Sequence, residues 1–182
     1  MRVFVAIDIP ETIRAEITAL QSAIPVGRRV PAENLHLTLR FLGEQPERAV
    51  EEAHEALSGL QAAPFQLQLA GVGSFGSRSP QVIYADLAPS SELAELERRI
   101  TRALRQAGLA FPRQRFRPHV TLVRLPKIVA GVELERIRDS LADQAAFRGS
   151  VFEVHSFALY RSTLSPRGAL HELLASYPLS PL

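Results

Sequence analysis

Two short segments carry side chains whose types and spacing could do chemistry: "HLTL" at residues 36–39 and "HVTL" at residues 119–122. Each sets an imidazole two residues before a hydroxyl inside an alternating apolar run. Residues two apart in a strand share a face. His36, Thr38 and Arg40 are therefore expected on one face, with Leu35, Leu37, Leu39 and Phe41 on the other. His119 and Thr121 pair in the same way, opposite Val120 and Leu122. Polar groups on such a strand need partners in protein, water or ligand. Five histidines and six threonines placed at random would give about 0.16 His-x-Thr triplets, yet the chain has two, 83 residues apart.

Imidazole titrates near pH 6.5, so one histidine of a pair can act as base while a protonated partner acts as acid. On opposite sides of a phosphorus atom, the base activates the attacking oxygen and the acid protonates the leaving one. Each threonine hydroxyl can donate to a non-bridging phosphoryl oxygen, where negative charge sits. The scheme needs no metal, and the residues argue against one. Each strand offers a single histidine, cysteine is absent, and there is no H-E-x-x-H helix. The G-x-S-x-G elbow of serine hydrolases is also missing. His54, His155 and His171 are read as structural or solvated.

The elements that must position these pairs follow from periodicity and punctuation. Residues 2–9 alternate as a strand, and Pro10 opens a helix through "PETIRAEITALQSAI". The first histidine strand ends at Gly43, and Pro46 starts a second helix. "FQLQLAGVGSF" and "PQVIYADLA" read as strands flanking a Gly/Ser loop. "SSELAELERRITRALRQAG" has a serine cap, helical spacing and a closing Gly108. The second histidine strand, a helix over "GVELERIRDSLADQ", a strand over "SVFEVHSFALYRS" and a strand-like "ALHELLASYPL" complete the chain. "GVGSFG" matches G-x-G-x-x-G, but a proline and a second strand follow where a dinucleotide site needs a helix, so it reads as a loop between neighbouring strands. Each half repeats strand, helix, His-Thr strand, helix. Residues 1–182 are expected to form one compact domain made of two intertwined lobes.

Composition sets the outer limits. A chain of 182 residues, 46% hydrophobic, can bury a real core. The lack of cysteine excludes disulfides and thiolate sites and suits a reducing cytoplasm. "MRVFVAIDIP" lacks the features of a secretory leader, and no apolar run approaches the length of a membrane span. A cytoplasmic monomer is expected. Net charge is only +2, but 20 of the 21 basic residues are arginine, whose planar fork suits phosphate. Arg113, Arg115, Arg117 and Arg124 surround His119 with no intervening acid, a local patch that can attract phosphate.

Taken in order along the chain, "MRVFVAIDIP", "ENLHLTLRFLGE", "PHVTLVR" and "FALYRSTLSPRGALHELLASYPL" resemble the two-histidine phosphoesterase superfamily. Within it they are similar to the bacterial and archaeal RNA 2′,3′-cyclic phosphodiesterases, also called 2′-5′ RNA ligases. The resemblance implies an α+β bilobal fold whose mostly antiparallel sheets surround a central cleft, each lobe contributing one tetrad. It implies cofactor-free hydrolysis of a 2′,3′-cyclic phosphate, on RNA ends or cyclic nucleotides, to a 2′-phosphomonoester. The reverse 2′-5′ ligation is possible with the same groups. By motif position His36 would be the proton donor and His119 the acceptor, with Thr38 and Thr121 holding the phosphate. Arg124, Arg117 and Phe4 would contact substrate, although simple alternation puts Arg124 on the face opposite His119 unless a bulge intervenes. A non-catalytic module that binds RNA ends or nucleotides is the alternative.

Overall fold

A computed structural model gives the fold, described for residues 1–76, 79–165 and 168–180. The described residues form nine strands and four helices, in the order β1 (Arg2–Asp8), α1 (Glu11–Ser22), β2 (Arg28–Arg29), β3 (His36–Glu44), α2 (Glu47–Ser58), β4 (Phe65–Phe75), β5 (Val82–Leu87), α3 (Ser91–Gln106), β6 (Val120–Arg124), α4 (Gly131–Asp143), β7 (Arg148–Val154), β8 (Ser156–Ser165) and β9 (Gly168–Pro178). A 3₁₀ turn at Ala32–Asn34 leads into β3. Pro10 and Pro46 precede α1 and α2, and the Ser90 hydroxyl accepts from the Leu93 amide at the start of α3. The glycine-rich segment is not the loop expected from the sequence: residues 71–75 are the last of β4, and Val72, Gly73, Ser74 and Phe75 pair antiparallel with β5, so no helix begins there either.

All strand pairs are antiparallel, in the order β7-β4-β5-β6-β3-β1-β8-β9, with β2 paired to β6. This is the α+β architecture implied by the sequence. It falls into two half-sheets, β7-β4-β5-β6 and β3-β1-β8-β9, which meet at the single pair Leu37–Val120. The second half-sheet takes its strands from both ends of the chain. The helices cross over as well: α1 packs on β6 and β7, whereas α3 packs on β3. "SVFEVHSFALYRS" is two strands, not one. They part at His155, β7 pairing with β4 and β8 with β1, on opposite sides of the seam.

The core lies between helices and sheet, where Val3, Val5, Ile7, Leu35, Leu37, Val120 and Leu122 are each 2% exposed or less. At roughly 1.5–3 kcal/mol for each buried aliphatic side chain, it anchors both histidine strands.

Two bulges overturn the simple alternation. Between β1 and β3, Ala6 faces Thr38 while Val5 faces Arg40, so Leu39 is an extra residue. Leu39 and Arg40 therefore both turn inward, at 2% and 7% exposed, and Phe41 moves to the face of His36 and Thr38. Arg40 leaves the histidine face and Phe41 joins it, the reverse of the sequence expectation. The same event occurs between β5 and β6, where Tyr84 faces Thr121 but Ile83 faces Val123, with Leu122 extra. Leu122 and Val123 are both fully buried, and Arg124 comes round to the face of Thr121.

Candidate active site

The Leu37–Val120 pair is the pivot of the site. Carried one residue either way, its antiparallel register sets His36 against Thr121 and Thr38 against His119. The two tetrads thus meet head to tail, related by a local two-fold axis through the seam. All four side chains line one cavity of about 370 Å³.

Each histidine is held alike. His36 Nδ1 lies 2.7 Å from the carbonyl oxygen of Asn34, and His119 Nδ1 lies 2.7 Å from that of Arg117. A carbonyl only accepts, so Nδ1 carries the hydrogen in both rings and Nε2 is left for the cavity. Each ring is walled by two others. Phe4 and His171 stand 4.9 Å from His36, while Phe75 and Tyr84 stand 4.8 and 5.4 Å from His119. An aspartate flanks each as well. Asp8 pairs with His36 across β1 and β3, and Asp86 follows the Ala85–Val120 pair by one step. Tyr160 donates to Asp8 Oδ1 at 2.6 Å, and burial followed by this carboxylate holds the phenol above its usual range.

The electrostatics of the cleft favour neutral imidazoles. Burial pushes His36 down to about 4, opposed by the Asn34 carbonyl and Asp8 and reinforced by His171 and Arg124. Burial lowers His119 too, with Arg117 and Arg124 adding to it and the Arg117 carbonyl and Asp86 opposing. Among the described residues the cavity lining holds Arg28, Arg29 and Arg124, three histidines and no carboxylate. Such a lining suits an anion, which would draw protons back onto the rings.

The other sequence candidates divide. Arg124 lines the cavity, because of the β6 bulge. Phe4 does not. At 4% exposed it is stacked on Tyr160 and packs against the rings of His36 and His171 from behind. Arg117 is likewise outside the lining, its guanidinium 5.1 Å from the centre of the Phe75 ring, and its carbonyl orients His119. His171, read from sequence as structural, is brought by β9 against His36 and lines the cavity. No local motif marks it. Its only signal was being a histidine on the β9 run. Among the described residues no group of three or more His, Cys, Asp or Glu is arranged to hold a metal ion.

These features agree with what the chain is similar to. Residues 9–166 match the model of the 2′-5′ RNA ligase superfamily. Proteins named RNA 2′,3′-cyclic phosphodiesterase from Archaeoglobus fulgidus and Methanocaldococcus jannaschii are 30% and 31% identical, over 94% and 97% of this chain and 97% and 100% of theirs. The chain spans 56% of the length of a Geobacillus stearothermophilus protein of that name, at 30% identity over 97% of its own residues. Among solved structures, TT0787 of Thermus thermophilus superposes with a TM-score of 0.80 at 29% identity over 98% of both chains. Escherichia coli LigT, solved with 3′-AMP, gives 0.77 at 25% identity over 99% of this chain and 98% of its own. The seam, the paired tetrads and these matches together make the chain a member of the 2′-5′ RNA ligase superfamily.

Proposed function

We propose that the protein hydrolyses 2′,3′-cyclic phosphates, on RNA ends and small nucleotides, to 2′-phosphomonoesters. The observation that carries this reading is the seam, which sets two imidazoles, each anchored through Nδ1, across from two hydroxyls in a cavity whose described lining is rich in arginine and without a carboxylate. His119 Nε2 takes a proton from water, whose oxygen attacks phosphorus as the bond to O3′ breaks. Protonated His36 gives its proton to O3′. Thr38, Thr121 and Arg124 hold the non-bridging oxygens as charge builds there. Burial holds both imidazoles toward the neutral form, so His36 gains its proton together with the substrate anion.

Residues 1–182 act in this reading as one domain whose lobes are the two half-sheets, working as a cytoplasmic monomer without a cofactor. The family match and the paired histidines leave a purely binding role without support. No described helix is long and apolar enough to cross a membrane. The test is hydrolysis of a 2′,3′-cyclic dinucleotide in excess EDTA, with the product resolved as 2′- or 3′-phosphate. The expected product is the 2′-phosphate at an undiminished rate. A 3′-phosphate, or loss of turnover on chelation, contradicts the scheme.

A further inference from the structure

β2 is two residues long, yet several features hold it in place. The buried amide of Gln21 on α1 donates to the carbonyls of Val30, at 2.8 Å, and Leu122, at 2.9 Å, tying the end of this segment to β6. At Gly27 the backbone turns with φ +103°, and a Cβ there would lie 2.6 Å from Val123 Cγ1, so only glycine fits against β6. The Asn34 amide donates to the Ala169 carbonyl at 2.8 Å, fixing the following turn to β9.

These restraints put Arg28 directly opposite Arg124. Facing residues of an antiparallel pair share a side of the sheet, and like charges there repel. Both arginines line the catalytic cavity. Gly168, the first residue of β9, lies beside Arg28, where a Cβ would make ordinary van der Waals contact at 3.5 Å from Arg28 Nη1. Arg124 lies on the Thr121 side of the site; β5 holds one edge of β6, so β2 shares the other edge with β3, and Arg28 lies on that seam-side edge, beside Gly168 of β9.

We infer that Arg28, beside the Arg124 that holds the cyclic phosphate, forms a second phosphate subsite, which takes the phosphodiester joining the terminal nucleotide of an RNA to its neighbour. The inference rests on the proposed hydrolysis of cyclic phosphate ends and deepens it. The substrate class becomes RNA 3′ ends carrying at least one internal phosphodiester, with free cyclic nucleosides as poorer substrates. Two forks side by side match two phosphates one nucleotide apart better than they match one.

The test compares kcat/KM for a nucleoside 2′,3′-cyclic phosphate lacking a 5′ phosphate with that for a dinucleotide bearing the same cyclic end. In the wild type the dinucleotide should be favoured at least tenfold. In Arg28→Gln that advantage should collapse, and the slope of log kcat/KM against log salt for the dinucleotide should fall by roughly 1. Arg28→Lys should restore part of it. An equal loss on both substrates would mean that Arg28 serves the cyclic phosphate itself, and no loss on either would mean that it serves none. Each result overturns the subsite while leaving hydrolysis intact. A wild type that turns over neither substrate overturns the hydrolysis, and the subsite with it.

Discussion

At the residue scale the two imidazoles are equivalent in anchoring and unequal in surroundings. Carbonyl, flanking aspartate and facing threonine recur at both. His36, however, carries a second histidine beside it, and the charge of Arg124 has Phe41 as its counterpart across the seam. Roles can be separated by relieving one of them. On a cyclic phosphate with sulfur in place of the bridging 3′ oxygen, the leaving thiolate needs no proton. His36→Ala should then recover most of its lost rate while His119→Ala stays slow; the opposite pattern would exchange acid and base. Arg124 adds to the effect of burial on the pH range. Its charge lowers both histidines, so Arg124→Gln should raise them and carry both limbs of the kcat/KM profile to higher pH. Loss of phosphate binding should also lower kcat/KM by about tenfold or more. A profile that stays in place would remove Arg124 from the electrostatics of the pair.

At the element scale, each histidine strand is gripped by the helix that crosses to it. α1 does so through Gln21 and the Leu122 carbonyl, and α3 does so through Glu97. The Arg40–Glu97 pair is buried, Glu97 also accepts from Thr101 at 2.6 Å, and Arg40 donates to the Gln114 carbonyl at 3.1 Å. Arg40 thereby ties β3 to the loop that leads to His119. Glu97→Ala leaves Arg40 buried and uncompensated and should cost about 3–5 kcal/mol in denaturant unfolding. The double replacement Arg40→Met with Glu97→Leu should regain much of that stability, though not the position of the loop. If Glu97→Ala costs less than about 1 kcal/mol, the pair is not what secures β3. This scale also shows what the sequence leaves hidden. The tetrads and their strands were legible because period-two alternation and an improbable repeat are local signals. A bulge is one extra residue set by pairing with a neighbour, so nothing local moved Arg40 inward or brought Phe41 and Arg124 to the cleft. "SVFEVHSFALYRS" read as one strand because no turn residue marks His155, where the chain crosses from one half-sheet to the other.

At the scale of the whole molecule, a single residue pair joins the half-sheets, and the catalytic groups sit on it. His171 belongs to the site only because β9 returns from the far end of the chain, a placement that depends on sheet order and that no window of sequence contains. Keeping an imidazole at this seam also couples stability to acid. His36 is lowered from 6.5 to about 4, so between those values the unfolded chain binds more protons than the folded one. It costs no stability above pH 6.5, but stability should fall on acidification toward pH 4, by about 3 kcal/mol. Denaturant midpoints for wild type and His36→Gln should converge as pH falls through this window, and parallel curves would refute the coupling. The central claim is that two histidines meeting across the seam perform the chemistry together. Its most direct measurement is kcat/KM on a 2′,3′-cyclic nucleotide, in EDTA, for the wild type, His36→Ala and His119→Ala. The account predicts losses of about 10² or more in each variant, with folding intact. Wild-type turnover in either one would contradict it.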